Sequence, residues 1–152
     1  HPFMPVANRN HWLRVQIPES FEQIEQSDLM LDFSLGFPEK IGFRNNFSNP
    51  FKPYNLKQRR PFDFIEVPLH IMDATIYDVE KIPPQKGMRL INEFLEKHKT
   101  NAIISVLWHN KYFTNYKYKG YVDIYKNILK FIKQNQMECV SQQELIELNN
   151  NK

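Results

Sequence analysis

The chain has 152 residues, 41% apolar and 14% aromatic, which is the length of one domain with enough apolar mass for a sizeable core. Its net charge of +3 is too small to argue for a nucleic-acid partner, and no stretch approaches the roughly 20 apolar residues of a transmembrane segment. The single cysteine, Cys139, excludes an intramolecular disulfide and a cysteine-based metal centre, and it does not fix the compartment.

Residues 1–18 show no clear period. They open on His1-Pro2 with neither an initiator Met nor an apolar signal segment, which reads as a processed chain or the C-terminal part of a longer protein. Ser20 is a candidate N-cap for a short helix whose Phe21 and Ile24 share one face. The run Leu29–Leu35 reads as a buried strand ended by Gly36. Residues 36–61 are rich in aromatics, Pro and Asn, and read as a long structured loop with room for a hairpin. A second strand spans 64–72, with Pro68 arguing for an irregular or edge position. Beyond Pro83-Pro84, the period of Met88, Ile91, Phe94 and Leu95 predicts a helix from Lys86 to His98. The stretch 102–108 is almost continuously apolar and suits a strand covered on both faces. A Tyr/Lys loop at 112–119 leads to an amphipathic helix from Tyr121 to Gln134, built on Ile124, Ile128, Leu129, Phe131 and Ile132. Met137–Val140 reads as a last short strand. Ser141, with Glu144 three residues on, has the pattern of a capping box for a final helix.

Helices alternating with apolar strands predict an α/β fold with parallel strands and right-handed crossovers. Four strands with few covering helices predict an incomplete, barrel-like sheet, with residues 1–152 as part of one domain. In such folds the working residues sit at the C-terminal ends of strands. That rule selects Asp32, Asp73 and His109. A His and an Asp brought together there form an acid/base pair, the carboxylate fixing the tautomer of the ring. The same pattern also suits strand-end polar residues solvated by loops. His70, between Leu69 and Ile71, reads as a packed histidine rather than a ligand, and His98, at a helix C-terminus, as a solvated one. His11 beside Trp12 could line a sugar site or pack in the core. There is no phosphate-binding loop, dinucleotide fingerprint, nucleophile elbow or H-E-x-x-H motif.

Several segments, taken in order, resemble the C-terminal half of a NodB-type polysaccharide deacetylase domain, of carbohydrate esterase family 4, in a bacterial subgroup. Asp32-Phe33-Ser34-Leu35-Gly36-Phe37 resembles the fourth motif of that family, and Glu66-Val67-Pro68 the strand that follows it. Val106-Leu107-Trp108-His109-Asn110 is similar to the fifth motif, and 131–145 to the closing helix, strand and helix. Asn8-Arg9-Asn10-His11-Trp12-Leu13-Arg14 stands in the place of the arginine-bearing third motif. The resemblance implies a distorted (β/α) barrel of fewer than eight strands that removes acetyl groups from N-acetylated sugars with a divalent metal, commonly zinc. It implies that His109 is the general acid, that Asp32 orients and charge-tunes it, and that Arg9 fixes the catalytic carboxylate. Trp108, Phe33, Arg44 and Asp73 are the candidate substrate contacts. His1 is the one candidate metal ligand, in a remnant of the histidine motif.

The sequence also departs from that pattern. The aspartate pair of the first motif is absent, the H-x-x-x-H spacing fails at Pro5, and Arg-x-Pro is replaced by Arg9-Asn10-His11. Four expectations follow. The carbohydrate-binding site is completed by an N-terminal half or a second copy, and no metal binds tightly to this chain alone. Ile104, Val106 and Leu107 are buried. His109 and Asp32 meet within hydrogen-bond reach, roughly 2.6–3.2 Å, or through one water. The alternative is a carbohydrate-binding or scaffold relative of the same fold with no catalysis.

Overall fold

The computed structural model describes residues 5–150. The framework is a run of short parallel strands. Strands β1 (Ala7–Asn8), β2 (Leu31–Asp32) and β5 (Ile65–Glu66) form one sheet in the order β1-β2-β5, all parallel, with Asn8, Asp32 and Glu66 in register across it. Strands β6 (Leu69–Met72) and β7 (Ser105–Leu107) form a second parallel pair. A parallel bridge between Gly36 and Leu69 joins the two. The chains approach so closely there that a Cβ on Gly36 would lie 2.8 Å from the Leu69 Cβ and 3.0 Å from its carbonyl oxygen, which is why the strand ends on a glycine.

Between β2 and β5 the long aromatic segment forms the hairpin of β3 (Tyr54–Asn55) and β4 (Arg60–Pro61). Its base packs on α1 (Glu19–Gln26), where Phe21 and Ile24 meet Phe62 and Phe64. Helix α2 (Pro84–His98) starts two residues earlier than its periodicity predicts, because Pro84 itself fits the first turn, where its missing N–H is no loss. The short α3 (Asn115–Tyr118) precedes α4 (Tyr121–Gln134), which has its predicted bounds. Ile91 and Leu95 of α2 and Tyr121, Ile124 and Ile128 of α4 pack with Ile71 and Ile76 into the largest core cluster. Leu129, expected on that apolar face, is about half exposed, since it lies one residue round the helix from Ile128. Helix α5 (Gln142–Asn150) covers the other sheet, placing Leu145 and Ile146 on Leu31, Ile65 and Val67. Its capping box is formed: Glu144 accepts from the Ser141 backbone N–H at 2.7 Å, and the Glu144 N–H donates to Ser141 Oγ at 3.2 Å.

The fold is thus α/β with parallel strands, and among the described residues the strands do not close into a barrel. Three local expectations are corrected. Ser20 is not the N-cap. The helix begins at Glu19, and Ser20 Oγ accepts from the Gln16 N–H at 2.9 Å, which serves the preceding turn. Residues 137–140 form no strand, and Glu138, Cys139 and Val140 are exposed. Ile104, Val106 and Leu107 are half-buried rather than buried, because β7 pairs with β6 alone among the described residues.

Candidate functional site

The C-terminal end of β6 runs into Asp73, and that of β7 into Trp108 and His109. Parallel pairing sets Met72 beside Leu107, so the residues just beyond them meet at one rim. His109 Nδ1 lies 2.6 Å from Asp73 Oδ1, and the His109 backbone N–H donates to Asp73 Oδ2. The backbone N–H of Ala74 also donates to Asp73 Oδ1, at 2.6 Å. Asp73 is buried, whereas the His109 side chain is 42% exposed. Burial pushes the Asp73 carboxyl above its ordinary range, and the bonds from His109 and Ala74 pull the other way. With Asp73 ionised, Nδ1–H is the donor of the pair, and Nε2 is the nitrogen left to exchange a proton with a ligand.

The loop after His109 is clamped in turn. His109 starts a 3₁₀ turn over Asn110–Phe113, its carbonyl accepting from the Tyr112 N–H at 3.2 Å. Tyr112 is fully buried, and its hydroxyl donates to Asp78 Oδ2 at 2.6 Å. Asp78 also takes Lys111 Nζ at 3.0 Å. It sits on the single π-helical turn Thr75–Val79 that follows Asp73, so one short segment supplies both carboxylates that fix the His109 loop.

A second acidic cluster occupies the ends of β1, β2 and β5. Asp32 accepts from Asn8 Nδ2 at 2.8 Å and from Ser34 Oγ at 2.7 Å, and Glu66 Oε1 accepts from the Leu35 N–H at 3.0 Å. Asp32 and Glu66 are both fully buried. Burial first, and the Asp32 carboxylate second, push Glu66 up to about 10, so at neutral pH it keeps its proton and shares it with Asp32. Arg9 lies alongside, donating from Nε to the Phe33 carbonyl at 3.2 Å with its guanidinium 5.3 Å from the centre of the Phe33 ring. Burial lowers the Arg9 pKa, and the nearby Asp32 and Glu66 oppose that shift.

The expected partner of His109 is therefore corrected. Its carboxylate is that of Asp73, while Asp32 is engaged with Asn8 and Ser34. Strand order explains the exchange: β6, which carries Asp73, is the direct neighbour of β7, whereas β2 pairs with β1 and β5. Asp73 likewise spends both oxygens on protein donors, where a substrate contact was expected. Trp108 is half-buried and lies 5.6 Å from the Tyr125 ring, centre to centre. Arg44 is exposed and donates to the Gly36 carbonyl at 3.1 Å. His1 lies outside the described residues. His70 is packed: its Nδ1 accepts from the Ser105 N–H at 3.1 Å, its ring meets Phe43 edge-on, and burial lowers its pKa to about 4.

The segment after β1 reaches the same rim as the dyad. Trp12 and Leu13 both have positive φ, 62° and 51°, a conformation that costs a non-glycine residue roughly 1–2 kcal/mol. Asn10 holds the turn closed: its carbonyl accepts from the Leu13 N–H at 3.0 Å, and its Nδ2 donates to the Arg14 carbonyl at 2.8 Å. Leu13 is buried in a cluster with Leu69 and Met72, packed against Ala74 and Leu107.

Sequence reasoning missed Glu66, Asp78, Tyr112, Asn8 and Ser34. Glu66 did leave a signal, a lone acid inside an otherwise apolar strand. Among the described residues, no three His, Cys, Asp or Glu side chains converge as a metal site would require. Compared with protein-family models, curated proteins and solved structures, the chain has no significant match.

Proposed function

We propose that this chain carries the proton-donating side of a hydrolase that removes acetyl groups from an N-acetylated carbohydrate, and that its open parallel sheet is part of a polysaccharide-deacetylase-type barrel. The observation that carries the reading is the His109–Asp73 pair, a half-exposed imidazole held by a buried carboxylate at the ends of neighbouring parallel strands. The ordered motif resemblance supplies the substrate class. In the step assigned to this chain, water has added to the acetamide carbonyl, and the C–N bond then breaks to leave acetate. His109 gives the Nε2 proton to the departing nitrogen, while Asp73 holds the Nδ1–H and stabilises the imidazolium before that transfer. A divalent metal belongs to the resemblance, but the described residues do not assemble a ligand set for one, so no step here runs through it.

The test is acetate release from an N-acetylglucosamine oligosaccharide by the full-length protein, with zinc supplied. The wild type is expected to release acetate, and His109→Ala to lower the rate by about 10²–10⁴ with an unchanged melting temperature. Saturable binding by the wild type without acetate release would replace this reading with that of a non-catalytic carbohydrate-binding relative.

A further inference from the structure

We propose that Trp12 is the stacking platform for a sugar ring of the substrate, a specificity-determining residue at the His109 rim; the inference rests on the proposed carbohydrate reading and deepens it. Trp12 is 75% exposed, among the most exposed large apolar side chains of the molecule. Its presentation is built. Two successive residues hold positive φ, which persists only where the surroundings over-determine it. Here they do. Asn10 closes the turn through its carbonyl and its amide, its own N–H donates to buried Ser34 Oγ at 2.8 Å, and Leu13 is sunk between β6 and β7. Leu13 packs with Met72 and Ala74, the residues on either side of Asp73, and with Leu107, two residues before His109. Burying Leu13 beside the residues that neighbour the dyad while holding Trp12 out fixes the indole in an exposed position.

The surroundings of the indole choose the ligand chemistry. Asn10, His11 and Arg14 flank Trp12 in the chain, and the His11 ring lies 5.4 Å away, tilted by 50°. A single flat aromatic among hydrogen-bonding groups suits a pyranose, which has an apolar C–H face and a polar rim; an apolar protein partner would need a wider greasy patch.

The experiment uses the full-length protein with chitotetraose, read by tryptophan fluorescence and by acetate release. The only other tryptophan, Trp108, is half-buried and adjoins His109, so the Trp12 signal is read as the difference between the wild type and Trp12→Ala. Trp12→Ala is expected to abolish most of the ligand-induced fluorescence change and to raise KM about tenfold with kcat nearly unchanged, and Trp12→Phe to restore most of the KM. Active wild type whose KM is the same in Trp12→Ala overturns the platform and leaves the deacetylase reading standing. Binding that needs Trp12 but releases no acetate keeps the platform and overturns the deacetylase reading. A wild type that neither binds nor releases acetate overturns both.

Discussion

Two acid clusters sit at the strand ends of the two parallel sheets, built from similar residues and given opposite chemical states. At the ends of β1, β2 and β5, Asp32 and Glu66 are both sealed, and the pair resolves its like-charge conflict by retaining a proton to about pH 10. At the ends of β6 and β7, Asp73 is equally buried, but its partner is an imidazole with 42% of its side chain exposed. Sealing both members makes a cluster whose proton does not exchange near neutral pH, which suits structure. Opening one member makes a pair that can pass a proton to a ligand, which suits catalysis. Position along the strands distinguishes them: Asp32 and Glu66 lie within the paired strands β2 and β5, whereas His109 stands beyond the end of β7, at the start of the turn that follows it.

The contrast is broken most severely at the open cluster. Asp73→Asn keeps shape and volume but removes the charge that fixes the His109 tautomer and stabilises its imidazolium. The expected fall in kcat is about 10²–10⁴. Stability should fall by about 1–3 kcal/mol, because both Asp73 oxygens accept from N–H groups and the amide NH2 leaves one of those donors without an acceptor. Combining Asp73→Asn with His109→Ala should cost little more than either alone, as expected of residues acting as a unit. Multiplicative losses in the double variant would show that the two do not act together.

The sealed cluster should show its state in the pH dependence of unfolding. Glu66 is raised to about 10 from 4.5, so stability attributable to its protonated form is full below pH 4.5 and falls as pH rises toward 10. His70 is lowered to about 4 from 6.5, so its contribution is full above 6.5 and is lost as pH falls toward 4. Between 4.5 and 6.5 the two contributions have opposite slopes. Above 6.5 the His70 contribution is constant and the Glu66 limb continues, at about 1.4 kcal/mol per pH unit. Glu66→Gln imitates the protonated carboxyl: it keeps the acceptor for the Leu35 N–H and gives Asp32 a permanent donor. Urea unfolding between about pH 6.5 and 8.5 should therefore be sloped in the wild type and flat in the variant, with kcat of both proteins alike. Parallel slopes would place the trapped proton elsewhere.

Much of this was legible in the sequence, and the failures have physical causes. Period located α1, α2 and α4, and the Ser141 capping box located α5, because each helix buries a stripe set by local spacing: Ile91 with Leu95, and Ile124 with Ile128. The strand-end rule found His109, Asp73 and Asp32 as chemically interesting residues. It left the acid partner of His109 open, and the motif resemblance assigned Asp32 in place of Asp73, because pairing across a parallel sheet depends on strand order, which no local pattern encodes. The long apolar run at 102–108 carried no sign that one side of β7 would be open. Trp12 looked like any aromatic beside a histidine, since positive φ at a tryptophan leaves no compositional trace, unlike a glycine in the same place.

The smallest expected effect falls on the residue that joins the sealed cluster to the Trp12 turn. Ser34 Oγ donates to Asp32 Oδ1 at 2.7 Å and accepts from the Asn10 N–H at 2.8 Å. Ser34→Ala removes both bonds but spares the Ser34 N–H donated to Asp32 Oδ2. Asp32 keeps Asn8 and the proton shared with Glu66, so the alkaline slope should persist. The half-buried Asn10 N–H loses its acceptor, a desolvation cost of about 1–3 kcal/mol, so the unfolding free energy from denaturant titration should fall by an amount in the lower part of that range. Hydrogen exchange at Asn10 should quicken, and KM for the oligosaccharide should rise in proportion to the loosening of the turn, while kcat, set at Asp73 and His109, stays put. A drop in kcat without a change in KM would mean that the two clusters are coupled through the sheet, and that the division into a structural pair and a working pair is drawn in the wrong place.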